Sequence, residues 1–371
     1  MISFKNRLSK LKDRRQGTRE RVLLEKGMLV NDMRDLRTAE SYERLSESDA
    51  VKYAVGAMAP VSHESTQVSI AEGERVAGTL ISMLETAGIP ARHEIQGSVA
   101  LDIHIEGHSD VDMLILHSDI VLVQTPKLDG SSTSCHDKRP MTEIIRELRL
   151  ESEAKLTSRY HAAKVDCTGS KSIALSGGSL QRKVDVVPGC WYDTHNYQRS
   201  RQKADRGVKI YDKAKHELYG NFPFLHMKRV NERDTNYDGN LKKMIRLMKN
   251  LVADMPDYKH NKAKALSSYD LAGIGYGMEE QLACPRYMPL ALIERLRAHL
   301  KNILDNQQFR MSMEVPDSTR KIFDKPEKEE ALGLLYAEVN DLAESIYKAL
   351  FPLGLQIYNG QQLSRRQVQF F

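Results

Sequence analysis

The chain has no apolar run approaching the about 20 residues needed to cross a bilayer. Its basic start, MISFKNRLSKLKDRRQGTRER, is not followed by the apolar core of a secretory signal. Both absences predict a cytoplasmic protein with no membrane partner. Cysteine is scarce: Cys135, Cys167, Cys190 and Cys284 stand too far apart for a CxxC knuckle or a small disulfide framework. Cys135-His136 has no second Cys/His pair to complete a metal site, so ordinary thiols are expected. Internal repeats and low-complexity tracts are missing too, which excludes repeat architectures. Without a GxxxxGK[ST] pattern, GSKS (169–172) and SGGS (176–179) do not make a P-loop, and a hairpin turn accounts better for the second.

Excess charge of one sign is also lacking over most of the chain. Residues 1–26 carry nine Lys/Arg against three acids, a net +6, while the whole chain carries only +5. Such an arm is a candidate contact for a polyanion. The recurrence of Phe4, Leu8 and Leu11 at helical spacing favours a plainer account, a helix with one solvated face. The near-neutral remainder argues against a long nucleic-acid track. With 371 residues, 41% hydrophobic and 28% charged, the chain can fold as a soluble protein of two lobes.

Periodicity divides the chain. Residues 2–59 read as helix, with apolar repeats such as Val22, Leu23, Met28, Leu29, Met33 and Leu36. A second helix over 65–85 is entered through Ser65 or Thr66 and ended by Gly88-Ile89-Pro90. ARHEIQGSVA and SDVDMLILH then read as strands, with VLVQT as a weaker extended segment. Helix returns at 141–158, followed by strands at AAKVDCT, KSIALSG and RKVDVVPGCW. The stretch 193–237 is mixed and loop-rich around VKIYD. From Gly239 the pattern is mostly helical, over roughly 239–254, 266–281, 287–306 and 326–350. The expected class is α+β, a mixed sheet flanked by helices, with segments at 1–60, 61–237 and 238–371.

What stands out is a pair of acids inside an apolar run. In QGSVALDIHIEGHSDVDMLIL, Asp110 and Asp112 lead straight into Met-Leu-Ile-Leu. On a strand both would point one way while Val111 and Met113 pack on the other face. Carboxylates that close raise each other's pKa unless a cation lies between them, and hard oxygen donors suit Mg²⁺. Asp185 interrupts a second β-branched run, between Val184 and Val186. Three carboxylates from two adjacent strands can hold two Mg²⁺, one activating a hydroxyl and one clamping a triphosphate. Gly97-Ser98 fits the same chemistry, since glycine admits a phosphate close to the backbone and serine adds a hydroxyl donor. Asp102 and Glu106 read as solvent-facing, and the two-metal scheme needs none of His104, His108 or His195.

Gly-Ser, then DVD, then a later apolar-flanked Asp resembles the polymerase-β-type nucleotidyltransferases. Within them the pattern is most similar to the bacterial cyclic-oligonucleotide synthases related to cyclic GMP-AMP synthase and oligoadenylate synthase. The resemblance covers about residues 65–285; the flanking parts match only in being helical. It implies a polymerase-β-like core with a helical C-terminal lobe and N-terminal helices, and an active site in the cleft between the lobes. Asp110 and Asp112 would ligate both metals, Asp185 would complete the one activating the hydroxyl, and Gly97 and Ser98 would cradle the donor triphosphate. RLMK in NLKKMIRLMKNLVADM places Lys249 on the triphosphate. SSY in ALSSYDLAGIGYGM places Ser268 on phosphate and Tyr269 on a nucleobase, although Ser267 or Ser268 is also a natural N-cap.

The implied reaction joins NTPs, ATP and/or GTP, with Mg²⁺ (or Mn²⁺ in its place) and releases pyrophosphate. The implied product is a cyclic di- or trinucleotide second messenger in antiphage signalling. A primer-dependent RNA polymerase would keep the chemistry, change the substrate and give the basic arm a purpose; a ligand-sensing pseudoenzyme would not need three intact carboxylates. Bases, linkage, ring size, activating signal, downstream effector and oligomeric state are not legible.

Overall fold

A computed structural model describes residues 3–25, 40–128, 137–352 and 357–368, with the backbone alone over 17–25. Cys135-His136 and the apolar repeat at Met28, Leu29, Met33 and Leu36 lie outside the described residues. The chain runs through α1 (Phe4–Glu25), α2 (Asp49–Met58) and α3 (His63–Thr86). Then come β1 (Ala91–Gln96), α4 (Gly97–Ala100), β2 (Val111–Val123), α5 (Met141–Arg159), β3 (Lys164–Asp166), β4 (Ile173–Ser176) and β5 (Val184–Asp193). α6 (His195–Ser200), β6 (Gly207–Asp212), β7 (Glu217–Asn221) and α7 (Pro223–Asn236) follow. Helices dominate the remainder: α8 (Asn240–Ala253), α9 (Asp257–Ala263), α10 (Ser268–Tyr276), α11 (Pro289–Asp305), α12 (Gln307–Ser312), α13 (Pro326–Leu350) and α14 (Gly360–Arg365). No helix among the described residues is long and apolar enough to cross a membrane.

Two compact units result: His63–Asp102 with Ser109–Lys228, and Met1–Ser62 with Ile103–His108 and Arg229–Phe371. The first holds the sheet, in the order β1-β2-β5-β4-β3, with β6 also on β5 and β7 on β6. β2 and β5 run parallel, and the other pairs are antiparallel. Along one edge β5 changes partner, from β4 at Val184–Val186 to β6 at Gly189–Tyr192. Pro188, which has no N–H to give a ladder, sits at the change.

Alternation along β2 and β5 assigns the faces. Val111, Met113, Ile115, Val184 and Val186 pack with Val76, Ala77, Leu80 and Leu84 of α3 and Leu148 and Leu156 of α5. Leu114, Leu116, Val187 and Trp191 join Val208, Ile210 and Phe224 in a second cluster. A one-residue slip of β2 would turn its apolar set off the helices, losing about 1.5–3 kcal/mol for each side chain exposed. Gly73 tightens the lock: a Cβ there would stand 2.7 Å from Val111 Cγ1 and 2.9 Å from Met113 Sδ, so α3 lies directly on the strand that carries the acids.

Several expected boundaries move; the helix expected over 2–59 is interrupted by turns at 40–48, and the stretch expected to be loop-rich holds α7. VLVQT is not a separate strand; it joins β2 through a register shift between Leu116 and Val121, where the polar His117-Ser118-Asp119 interrupts the apolar pattern. The strand expected through Ala100 stops at Gln96, because Gly97 takes φ +77° and turns the chain into α4. α3 starts at His63, ahead of the expected Ser65 or Thr66 entry.

In the helical unit Phe4, Leu8 and Leu11 are buried, as their spacing predicts. The solvated-face reading of the basic arm holds for Lys5 and Lys10, which are exposed, and fails for its neighbours. Arg7 pairs with Glu338 at 2.5 Å, Arg14 with Asp254, and Lys12 with Glu43 at 3.2 Å. Arg15 makes two 2.8 Å bonds to Glu40 and one of 2.7 Å to the Pro60 carbonyl. Arg7, Arg14 and Arg15 are bound inside the unit, which removes them as contacts for a polyanion, whereas Lys12 keeps 32% of its side chain exposed.

Candidate active site

β2 and β5 set Asp112 directly opposite Asp185, flanked by the pairs Val111–Val184 and Met113–Val186. In-register neighbours on parallel strands share a face, and both Asp112 and Asp185 stand opposite the face packed on α3 and α5. Asp110 comes one residue before β2, whose first N–H, on Val111, bonds the Lys183 carbonyl at 3.0 Å. The three acids are half-buried. Burial first, then the charge of Asp110, pushes the Asp185 carboxyl up to about 6, against a hydrogen bond from Ser172 and the charge of Lys183.

Gly97 is fitted to the same place. A Cβ on it would stand 2.8 Å from Asp112 Cγ and closer still to Oδ2, so only glycine leaves that carboxylate its room. The positive φ makes the requirement double. Ser98 follows in the first turn of α4 and is half-buried.

The donor set suits a hard divalent cation: oxygen donors only, half-buried, with the Asp185 carboxyl raised in part by the charge of Asp110. Among the described residues no three acids, histidines or cysteines are gathered into a ready-made cage. The fit is therefore one of donor chemistry and strand register.

Lys249, Ser268 and Tyr269 belong to the helical unit. On the basic helix α8, Arg246 and Lys249 are buried, 5% and 8% exposed. Arg246 donates to the Met58 carbonyl at 2.9 Å, and Asn250 to the Ala57 carbonyl at 3.0 Å, so the end of α2 fixes this face of α8. Burial, then Arg286 and Arg246, hold Lys243 below the usual lysine range, the mark of crowded cations. Ser267, not Ser268, caps α10, in a capping box with Asp270. That leaves Ser268 exposed in the first turn. The Tyr269 hydroxyl donates to Asp317 at 3.2 Å, which anchors its half-buried ring.

One residue escaped the sequence reading. Asp270 is fully buried, bonds both the N–H and the hydroxyl of Ser267, and meets Arg320 at 2.6 Å and Lys328 at 3.2 Å. Ser-x-x-Asp ahead of an apolar run could have signalled it. Of the histidines, His104 is buried and His195 bonds the Pro126 carbonyl at 2.9 Å.

The model of the cGAS/DncV-like nucleotidyltransferase C-terminal helical domain matches residues 228–342. The cyclic dinucleotide synthase CdnE of Yersinia aleksiciae is 35% identical over 363 residues, 94% of this chain and 93% of that protein. A c-di-GMP synthase of Capnocytophaga granulosa is 30% identical over 327 residues, 82% of this chain and 89% of that one. The solved structure of the STING-associated CdnE c-di-GMP synthase from Capnocytophaga granulosa superposes with a TM-score of 0.70 at 28% identity, covering 94% of this chain and 99% of that one. The fold is that of a nucleotidyltransferase. The chain belongs to the CD-NTase family, the cGAS/DncV-like nucleotidyltransferases that include the CdnE cyclic dinucleotide synthases.

Proposed function

We propose that this enzyme joins NTPs into a cyclic di- or trinucleotide with release of pyrophosphate, using Mg²⁺ held by Asp110, Asp112 and Asp185. The observation that carries the reading is the in-register opposition of Asp112 and Asp185, with Gly97 making room for the Asp112 carboxylate. When bound, the divalent cations make a ribose hydroxyl a better nucleophile and stabilise the pyrophosphate that leaves. The chain's own part is to hold the three carboxylates on one strand pair and to present the backbone at Gly97-Ser98 to the donor triphosphate. Lys249 adds positive charge for the triphosphate, Ser268 a hydroxyl for phosphate, and Tyr269 a face for a nucleobase.

The relatives are named for cyclic dinucleotides, and several for c-di-GMP. That favours a two-nucleotide ring and makes GTP, then ATP, the first substrates to try. A signalling role in antiphage defence is supported by the STING association of the Capnocytophaga granulosa synthase. The test is incubation with labelled NTPs and Mg²⁺ or Mn²⁺ and no primer, followed by alkaline phosphatase and mass spectrometry. A metal-dependent product that survives phosphatase is expected, because a ring has no terminal phosphate. Incorporation only into an added RNA primer would overturn the reading in favour of a polymerase, and products that all lose terminal phosphates would mean a linear oligomer.

A further inference from the structure

A short hairpin in the helical unit lies against α10. Glu314 and Lys321 pair as an antiparallel bridge, the Ile322 N–H donates to the Met313 carbonyl at 2.9 Å, and the Val315 N–H donates to the Arg320 carbonyl at 3.2 Å. Gly273 of α10 is fitted to it: a Cβ there would stand 2.7 Å from Ile322 Cδ1 and 3.1 Å from the Glu314 carbonyl oxygen. The tip, Pro316-Asp317-Ser318, is held as well. Arg229 Nη1 donates to the Pro316 carbonyl at 2.7 Å and to the Ser318 hydroxyl at 2.8 Å. Ser318 takes φ +59°, a conformation costly for a residue with a Cβ, so these bonds fix a strained turn.

Asp317 is buried at this tip, and its two oxygens do different things. Oδ1 accepts from the Thr319 N–H at 3.0 Å and from the Thr319 hydroxyl at 2.7 Å, which closes the turn. Oδ2 accepts from the Tyr269 hydroxyl at 3.2 Å, across 48 residues of chain. A turn needs only the first oxygen. Arg320, from the same hairpin, reaches Asp270 at 2.6 Å. Two consecutive residues of α10, Tyr269 and Asp270, are thus tied to one hairpin, and the Tyr269 ring is held at its far end.

We infer that Asp317 is a positioning residue for Tyr269: its carboxylate fixes the ring in one orientation before a nucleobase arrives, and so raises NTP affinity without touching the nucleotide. The inference rests on the reading of Tyr269 as the face for a nucleobase. Ordering a side chain in advance spares binding the cost of ordering it, worth about two- to tenfold in affinity for one side chain.

The test uses the full chain as wild type, Asp317→Ala, Asp317→Asn, Tyr269→Phe, Tyr269→Ala and the double variant Asp317→Ala with Tyr269→Phe. Calorimetry with Mg²⁺ present measures binding of non-hydrolysable GTP and ATP analogues and of inorganic tripolyphosphate, which has no base. Melting temperature is recorded beside it. Asp317→Ala and Tyr269→Phe should each weaken the NTP analogues about two- to tenfold and leave tripolyphosphate unchanged. The double variant should lose no more than either single one, because both remove the same bond. Asp317→Asn, whose amide N–H can donate to the tyrosine oxygen, should restore most of the affinity. An equal loss for tripolyphosphate, or losses that multiply in the double variant, would overturn the positioning role. Wild-type affinity in both Asp317→Ala and Tyr269→Phe, with affinity lost in Tyr269→Ala, would also overturn it and leave the nucleobase face standing. Wild-type affinity in Tyr269→Ala would remove the nucleobase reading and this inference with it.

Discussion

The candidate site and the rest of the molecule treat their acids differently. Away from the site five buried acids face cations: Glu338 meets Arg7 and Lys259, Asp254 meets Arg14 and Asp270 meets Arg320 and Lys328 in the helical unit, while Glu72 meets Arg75 and Asp193 meets Arg206 in the sheet unit. In the sheet unit Asp185 has burial and another acid, Asp110, as the forces that raise it. The lesson is about what an acid is for. A carboxylate matched to a protein cation holds elements together; one set in register beside another carboxylate is, on the proposed reading, suited to a divalent cation.

The sharpest way to break this contrast is to remove one charge at the site and one away from it. Asp110→Asn, Asp112→Asn or Asp185→Asn should each cut turnover by at least about 10³-fold, some 4 kcal/mol of transition-state stabilisation, without lowering the melting temperature of the metal-free protein. Near-normal turnover in Asp112→Asn would end the assignment. In the helical unit Arg7→Ala should act the other way round, lowering stability by about 3 kcal/mol in denaturant melts, because Glu338 is left buried with only the longer Lys259 contact.

Nucleotide affinity separates the units next. Lys249→Ala should weaken NTP binding by roughly 1.5–3 kcal/mol, the scale of a charge-assisted bond, in calorimetric titrations. Ser268→Ala should cost less, since Ser267 and not Ser268 caps α10. Unchanged affinity in Lys249→Ala would mean that the resemblance has selected the wrong lysine.

The smallest effect is a pair of opposed pH slopes. Asp185, raised to about 6, keeps its proton in the native chain at pH values where the unfolded chain, titrating near about 4, has released it. Its contribution to metal-free stability is full below about 4 and is lost as pH rises through 6. His299, buried against the Ile274 carbonyl and pushed down to about 4, stays neutral in the native chain while the unfolded chain protonates below about 6.5. Its contribution is lost as pH falls from 6.5 toward 4. Melting temperature against pH should lose the first slope in Asp185→Asn and the second in His299→Gln.

Local pattern carried the main elements. Acids inside the apolar runs 111–116 and 184–187 marked two strands, and strand alternation placed Val111 and Met113 on the packed face. The last long helix, 326–350, was legible to the residue from its Pro start and apolar repeat. What tertiary context decides was not legible. The helix Asp257–Ala263 is too short to show a period, and the β6–β7 hairpin lacks the two-residue turn that would announce it.

The parallel pairing of β2 and β5 also sets when the site can exist during synthesis. About seventy residues separate Asp112 from Asp185, and a parallel pair cannot close through a local turn. Bringing the strands together means closing that long loop, an entropic cost met only as the intervening α5, β3 and β4 find their places. A ribosome adds about 5–20 residues per second, so for several seconds the nascent chain carries the DVD strand without its acidic partner. Until β5 has emerged and docked, the growing polypeptide cannot set Asp185 beside Asp112.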